Sequence, residues 1–174
     1  MAESHSTAND AVSIRKAQPR DIRTIADFNC AMALETEHKA LFPDRVNAGV
    51  QRLVGEPALG FYLVAEAQGE VIACLLVTNE WSDWRNGMFW WIQSVYVVAP
   101  WRRRGVYRRL YDHVRELAQT EGGVCGFRLY VEKDNANAQA TYASLGMGPT
   151  DYLIYEELKP GLRYFTPAPG PASR

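Results

Sequence analysis

Arg102-Arg103-Arg104-Gly105 stands between a strand pattern, Val95-Tyr96-Val97-Val98, and an amphipathic helix pattern that starts at Val106-Tyr107. A helix N terminus carries unpaired backbone N–H groups and the positive end of a dipole, and a glycine there lets the backbone approach a diphosphate closely. The spacing therefore predicts an anion-binding turn reinforced by guanidinium groups. Glu35 and Glu37, next to His38, and Glu80 are the carboxylates placed to take a proton, and Trp81 and Trp84 flank a loop where they would wall a pocket for an amine or an aromatic group. His5, His38 and His113 show no metal-ligand spacing and neither HExxH nor CxxC occurs, so no metal is expected.

The elements that must position these groups are bounded by composition. A chain of 174 residues with 47% hydrophobic and 22% charged side chains fits one domain with a substantial core. The net charge of -1 makes the arginine cluster a local feature and argues against a nucleic-acid-coating protein. Cys30, Cys74 and Cys125 are far apart and read as reduced residues. No stretch approaches the ~18 apolar residues of a membrane span, and the N terminus lacks a signal-peptide layout, so a cytoplasmic enzyme or binding protein is expected.

Along the chain, residues 1–11 are polar and expected to be flexible, 12–158 form the domain, and 159–174 are a Pro/Gly-rich tail expected to lack regular structure. The alternation from Val12 predicts a strand, and Asp21 caps a helix running to about His38. A shorter helix lies around Val46–Val54. Strands follow at Phe61–Ala67 and Val71–Thr78, joined by a tight turn at Gln68-Gly69-Glu70, and then at Met88–Val98, a run long enough to expect a bulge that exposes backbone N–H groups. The helix after the arginine turn buries Val106, Leu110, Val114 and Leu117 and stops at Gly122-Gly123. A strand at Phe127–Val131, a helix at Asn135–Leu145 and a last strand at Tyr152–Leu158 complete an α/β architecture, a mixed sheet with helices on both faces.

With these elements in order, the chain resembles the GNAT superfamily of N-acetyltransferases. The family's Q/R-x-x-G-x-G/A signature stands here as Arg102-Arg103-Arg104-Gly105-Val106-Tyr107, matching at Arg102 and Gly105 and departing at Tyr107, whose ring is expected to point outward. A second block, Asn135-Ala136-Asn137-Ala138-Gln139-Ala140-Thr141-Tyr142 followed by Leu145-Gly146-Met147, is similar to Asn-x-x-Ala-x-x-x-Tyr followed by Leu-Gly-Phe. Two blocks in the right order and separation make the resemblance specific. It implies the acyl-CoA N-acyltransferase fold, with a central, mostly antiparallel sheet flanked by helices.

The resemblance also implies roles. Val95, Tyr96 and Val97 would offer backbone groups to the pantetheine arm of acetyl-CoA, and Arg102 to Tyr107, through Arg103, Arg104, Gly105 and Val106, would hold the pyrophosphate. Asn135 would hydrogen-bond the cofactor arm. Tyr142 aligns with the general acid, since a phenol of pKa about 10 can protonate a departing thiolate whose acid is near 8.5. Many members carry a glutamate where this chain has Gln93-Ser94, so Glu35 or Glu80 is expected to act as base through water. Glu35, Glu37, Trp81, Trp84 and Gln93 are the residues expected to meet a small-molecule or protein amine, with no nucleic acid or membrane as partner and a homodimer as the family's frequent assembly. The alternatives are a non-catalytic acyl-CoA-binding module, kept open by the missing strand glutamate, and an RNA- or phosphate-binding domain using the arginine turn.

Overall fold

The computed structural model describes residues 12–168; the N-terminal segment 1–11 and the end of the tail, 169–174, lie outside them. Five strands, β1 (Ser13–Lys16), β3 (Gly60–Ala67), β4 (Glu70–Ser82), β5 (Gly87–Val97) and β6 (Val124–Arg128), form one sheet in the order β1-β3-β4-β5-β6. All neighbours are antiparallel except β5 and β6, which run parallel and are joined by helix α3 (Val106–Glu121), the crossover that parallel strands require. Helices α1 (Ile22–Glu37) and α2 (Pro43–Gly55) precede β3, and α4 (Ala136–Ser144) follows β6.

Because side chains alternate across a strand, each central strand feeds two cores. Leu63, Ala65, Leu75, Val77, Trp90 and Ile92 point to one face, where α3 covers them with Val106, Leu110 and Val114 from its apolar stripe. Tyr62, Val64, Cys74 and Leu76 point to the other, under Ile25 and Ala26 of α1 and Val50 of α2. The sheet is thereby enclosed on both sides, and its useful openings are at its edges and ends.

The long strand is interrupted as its length suggests. Leu75 faces Val95 whereas Val77 faces Ile92, so β5 spends one more residue than β4 over this stretch, and the extra residue falls at Gln93-Ser94. The turn between β3 and β4 is tight, with Gln68 at φ +55° and Gly69 at +82°.

Four expectations are corrected. The strand expected at Phe127–Val131 lies at Val124–Arg128, because pairing with β5 starts at Met88–Val124 and passes through Gly126, where a Cβ would sit 2.7 Å from the Phe89 ring. No strand forms at Tyr152–Leu158: the segment is irregular, with Tyr152 and Tyr155 78% and 90% exposed, since period-two alternation sets a face but supplies no pairing partner. The tail instead provides a strand, β7 (Phe165–Pro167), paired antiparallel with β2 (Lys39–Leu41) and flanked by hydrogen bonds from Phe42 N to Tyr164 O and from Ala168 N to His38 O.

The fourth concerns Asp21, which makes no side-chain cap to α1. Its buried carboxylate accepts two hydrogen bonds from Arg15, at 2.7 and 2.9 Å, and one from Gln18 N at 2.7 Å, while Arg15 also binds Glu66. Arg15 above all holds both carboxyls below the usual range. The stabilisation is therefore present above the ordinary carboxylate pKa and is lost as pH falls through the depressed folded-state values. Asp21→Ala, which removes one of the two carboxylates that hold the Arg15 guanidinium, is expected to cost about 2 kcal/mol in a urea melt at pH 7 and to cost progressively less as the pH is lowered below about 4.

Candidate active site

β6 pairs with β5 only as far as Trp91–Arg128, yet β5 continues to Val97. From Ile92 onward the two parallel strands part, immediately beside the Gln93-Ser94 bulge, and this side of β5 presents a row of backbone groups of the kind that accepts an extended ligand. The chain then turns through Ala99–Trp101 into Arg102–Gly105, with Arg103 at φ +60° and Gly105 at φ +76° as N-cap of α3. No side chain caps that helix, and the space around Gly105 is open. The strand edge and the helix N terminus thus follow one another along the chain, the first with the backbone of Val95, Tyr96 and Val97 and the second with the turn.

Arg102 lies between the two. Its Nε donates to Val97 O at 2.8 Å and its Nη2 to Glu35 Oε2 at 2.6 Å, with the guanidinium 5.4 Å from the Tyr96 ring centroid. Tyr96 Oη donates to the other oxygen of Glu35 at 2.9 Å. Arg102, and after it Tyr96, hold the Glu35 carboxyl below its ordinary pKa, which makes it a weaker base. Arg104 stacks over Trp101 at 5.1 Å, and Arg108 reaches Ser144 at the end of α4.

Tyr107 points inward rather than out. Its ring lies 6.3 Å from Tyr111 and 5.8 Å, edge to face, from Tyr142, and its buried hydroxyl has no partner among the described residues. The first turn of α3 and the last turn of α4 therefore touch through two phenols. Tyr142 also lines a cavity of about 490 Å³ with Phe127, Leu129 and Met147, and burial raises its phenol, which keeps it protonated at neutral pH. Asn135 is the N-cap of α4: its Oδ1 accepts from Ala138 N at 3.0 Å, leaving its NH₂ as the group that can donate elsewhere.

On the other side of the bulge, Glu80 accepts from Arg128 at 2.6 Å and from the Trp91 indole, so this candidate base is also held by a cation. Glu37 pairs with Lys39 at 2.6 Å. Gln93 donates to Thr78 Oγ1 at 2.6 Å and accepts from Tyr130 Oη at 3.2 Å, while the Tyr130 and Trp91 rings are 5.9 Å apart. Trp81 and Trp84, 59% and 84% exposed, sit at the tip of the β4–β5 hairpin; Trp81 pairs with Met88, five residues from Gln93 and hence about 16 Å along the strand, so the fold does not bring them to the bulge. Thr78, Trp91, Arg128 and Tyr130 were not legible as a group, because three strands contribute them. Among the described residues, no His/Cys/Asp/Glu group could hold a metal, and no helix is long and apolar enough to cross a membrane.

The fold is shared with solved acetyltransferases. A protein described as "a possible acetyltransferase" from Clostridium difficile 630 is 44% identical, with 85% of this chain and 97% of that one aligned at a TM-score of 0.80. An aminoglycoside N-acetyltransferase in complex with CoA (15% identity, 86% and 96% covered, TM-score 0.70) and a ribosomal-protein-alanine N-acetyltransferase from Brucella melitensis biovar Abortus 2308 (16%, 86% and 99%, 0.68) share the architecture. No curated protein matches. The class is thus that of the acyl-transferring α/β proteins. The acetyltransferase (GNAT) family model matches residues 22–147, and the chain belongs to that family.

Proposed function

We propose that the protein transfers the acetyl group of acetyl-CoA to the nitrogen of an amine by direct attack, with both substrates bound at once. The observation that carries this reading is the parted β5 edge leading through the arginine turn into the uncapped N terminus of α3. A pantetheine arm fits the first as an added strand, and a pyrophosphate fits the second, where Arg103, Arg104 and the backbone from Arg102 to Tyr107 supply donors. The aligned aminoglycoside enzyme, which holds CoA, supports the choice of ligand.

In this scheme acetyl-CoA supplies the activated acyl carbon and the chain supplies the surroundings. A backbone N–H at the bulge near Val95 meets the negative charge that develops on the carbonyl oxygen. The amine nitrogen forms the new bond to the acetyl carbon, the carbon–sulfur bond breaks, and Tyr142 gives its proton to the departing thiolate. With Glu35 and Glu80 both in ion pairs and Gln93 an amide, the amine's proton leaves to water. Small-molecule and protein amines both suit this scheme.

The paired carboxylates also support a second reading, an acyl-CoA-binding module without turnover. A thermal melt tests the common ground. Acetyl-CoA at 100 times its Kd stabilises by about 2.7 kcal/mol, which for a domain of this size raises Tm by roughly 5–10 °C. ADP is expected to do less and an oligonucleotide nothing; stabilisation by the oligonucleotide alone would instead favour a nucleic-acid-binding turn.

A further inference from the structure

We infer that Tyr130, held by Gln93 and Thr78 and set against Trp91, is the docking point for a cationic amine, whose ammonium head lies against the exposed phenol. This deepens the acyl-transfer reading and rests on it for the fate of the docked nitrogen.

Tyr130 stands two residues beyond β6, where β5 and β6 have parted, and is 59% exposed. Its position is nonetheless fixed. Gln93 Nε2 donates to Thr78 Oγ1 at 2.6 Å, which orients the amide so that Oε1 is left to accept, and Tyr130 Oη donates to that oxygen at 3.2 Å. The Trp91 ring supports the phenol from one side at 5.9 Å. With its proton directed at Gln93, the phenol oxygen can only accept from an approaching ligand. An ammonium offers three N–H donors to that oxygen and a charge that the aromatic faces attract.

The surrounding charges favour a cation. Burial raises the Tyr130 phenol, and the carboxylates of Glu37 and then Glu156 raise it further, so the chain of hydrogen bonds stays intact through neutral pH. Glu37 carries its own partner, Lys39, and the nearby Arg128 is bound to Glu80, so no unpaired cation of these groups opposes the ligand. Thr78, Gln93 and Tyr130 come from β4, β5 and the segment after β6, and their only common feature is that they meet beside the bulge.

The test is calorimetric titration of the full-length protein, with and without saturating CoA, using benzylamine at pH 7 and benzyl alcohol as its neutral counterpart. Benzylamine is expected to bind at least 10-fold more tightly than the alcohol. Tyr130→Phe, which keeps the ring, weakens benzylamine about 5- to 10-fold. Gln93→Leu does the same, and the double variant is no weaker than either single one, because both act through one hydrogen bond. Tyr130→Leu brings benzylamine to the level of the alcohol, while the Kd for CoA stays within 2-fold throughout.

Equal binding of the alcohol, wild-type affinity in Tyr130→Leu, multiplicative losses in the double variant, or no saturable benzylamine binding would each overturn the assignment. The two readings fail separately. Tyr130-dependent benzylamine binding without any thiol release from acetyl-CoA removes the transfer reaction and leaves the docking point. Turnover indifferent to Tyr130 does the reverse.

Discussion

Tyr142→Phe is expected to lower kcat by roughly 10²-fold or more while acetyl-CoA binds nearly as before, which is the range for loss of a general acid. The substitution removes one oxygen and keeps the ring, so the edge-to-face contact with Tyr107 and the wall of the cavity beside Phe127 and Met147 remain. Any fall in rate then reports the proton and not the packing. Burial raises the Tyr142 phenol, so the acid form persists further into the alkaline range than a free tyrosine would, and the rate loss at high pH should shift upward accordingly. Steady-state kinetics with acetyl-CoA and an amine at saturation check this, and an unchanged kcat would remove Tyr142 from the reaction.

Gly60→Ala carries the largest expected effect on stability. Gly60 opens β3 at φ +139°, a backbone conformation that side chains rarely adopt, and a Cβ there would lie 2.1 Å from the carbonyl oxygen of Val77. The obstacle is backbone in the middle of β4, on a strand pair that runs from Gly60–Thr78 to Ala67–Glu70, so neither partner can yield without breaking the ladder. Strain and overlap together should cost about 3 kcal/mol or more, roughly 10 °C in Tm. Gly55→Ala, where nothing lies within 4 Å, is the matched control and should change Tm little.

What could be read ahead of the structure follows the range of the forces involved. Helices α1 and α3 and strands β3 to β5 are written in local periodicity, because each buries a face against the same two cores. The bulge at Gln93-Ser94 was foreshadowed by strand length alone. The arginine turn and Asn135 to Tyr142 were legible as a site because each block is contiguous and their order is that of a known family.

Pairings between distant segments were not legible. Tyr152–Leu158 has strand-like residues and no partner, whereas Phe165–Pro167 pairs with Lys39–Leu41 across more than a hundred positions. The same blindness affects the carboxylates. Glu35 and Glu80 look available in sequence, but Arg102 lies 67 residues from one and Arg128 lies 48 from the other, and these partners decide their chemistry. Tyr107 was expected to avoid the site and packs on Tyr142 instead, since a helix position says nothing about which neighbour fills the space beside it.

The measurement that bears most directly on the account is release of free CoA thiol from acetyl-CoA across a panel of amines, with the acetylated product identified by mass. The account expects thiol release that depends on the amine, with N-acetylation in equal amount and strong loss in Tyr142→Phe. Tight binding of acetyl-CoA with no amine-dependent release across the panel would contradict transfer and leave an acyl-CoA-binding module.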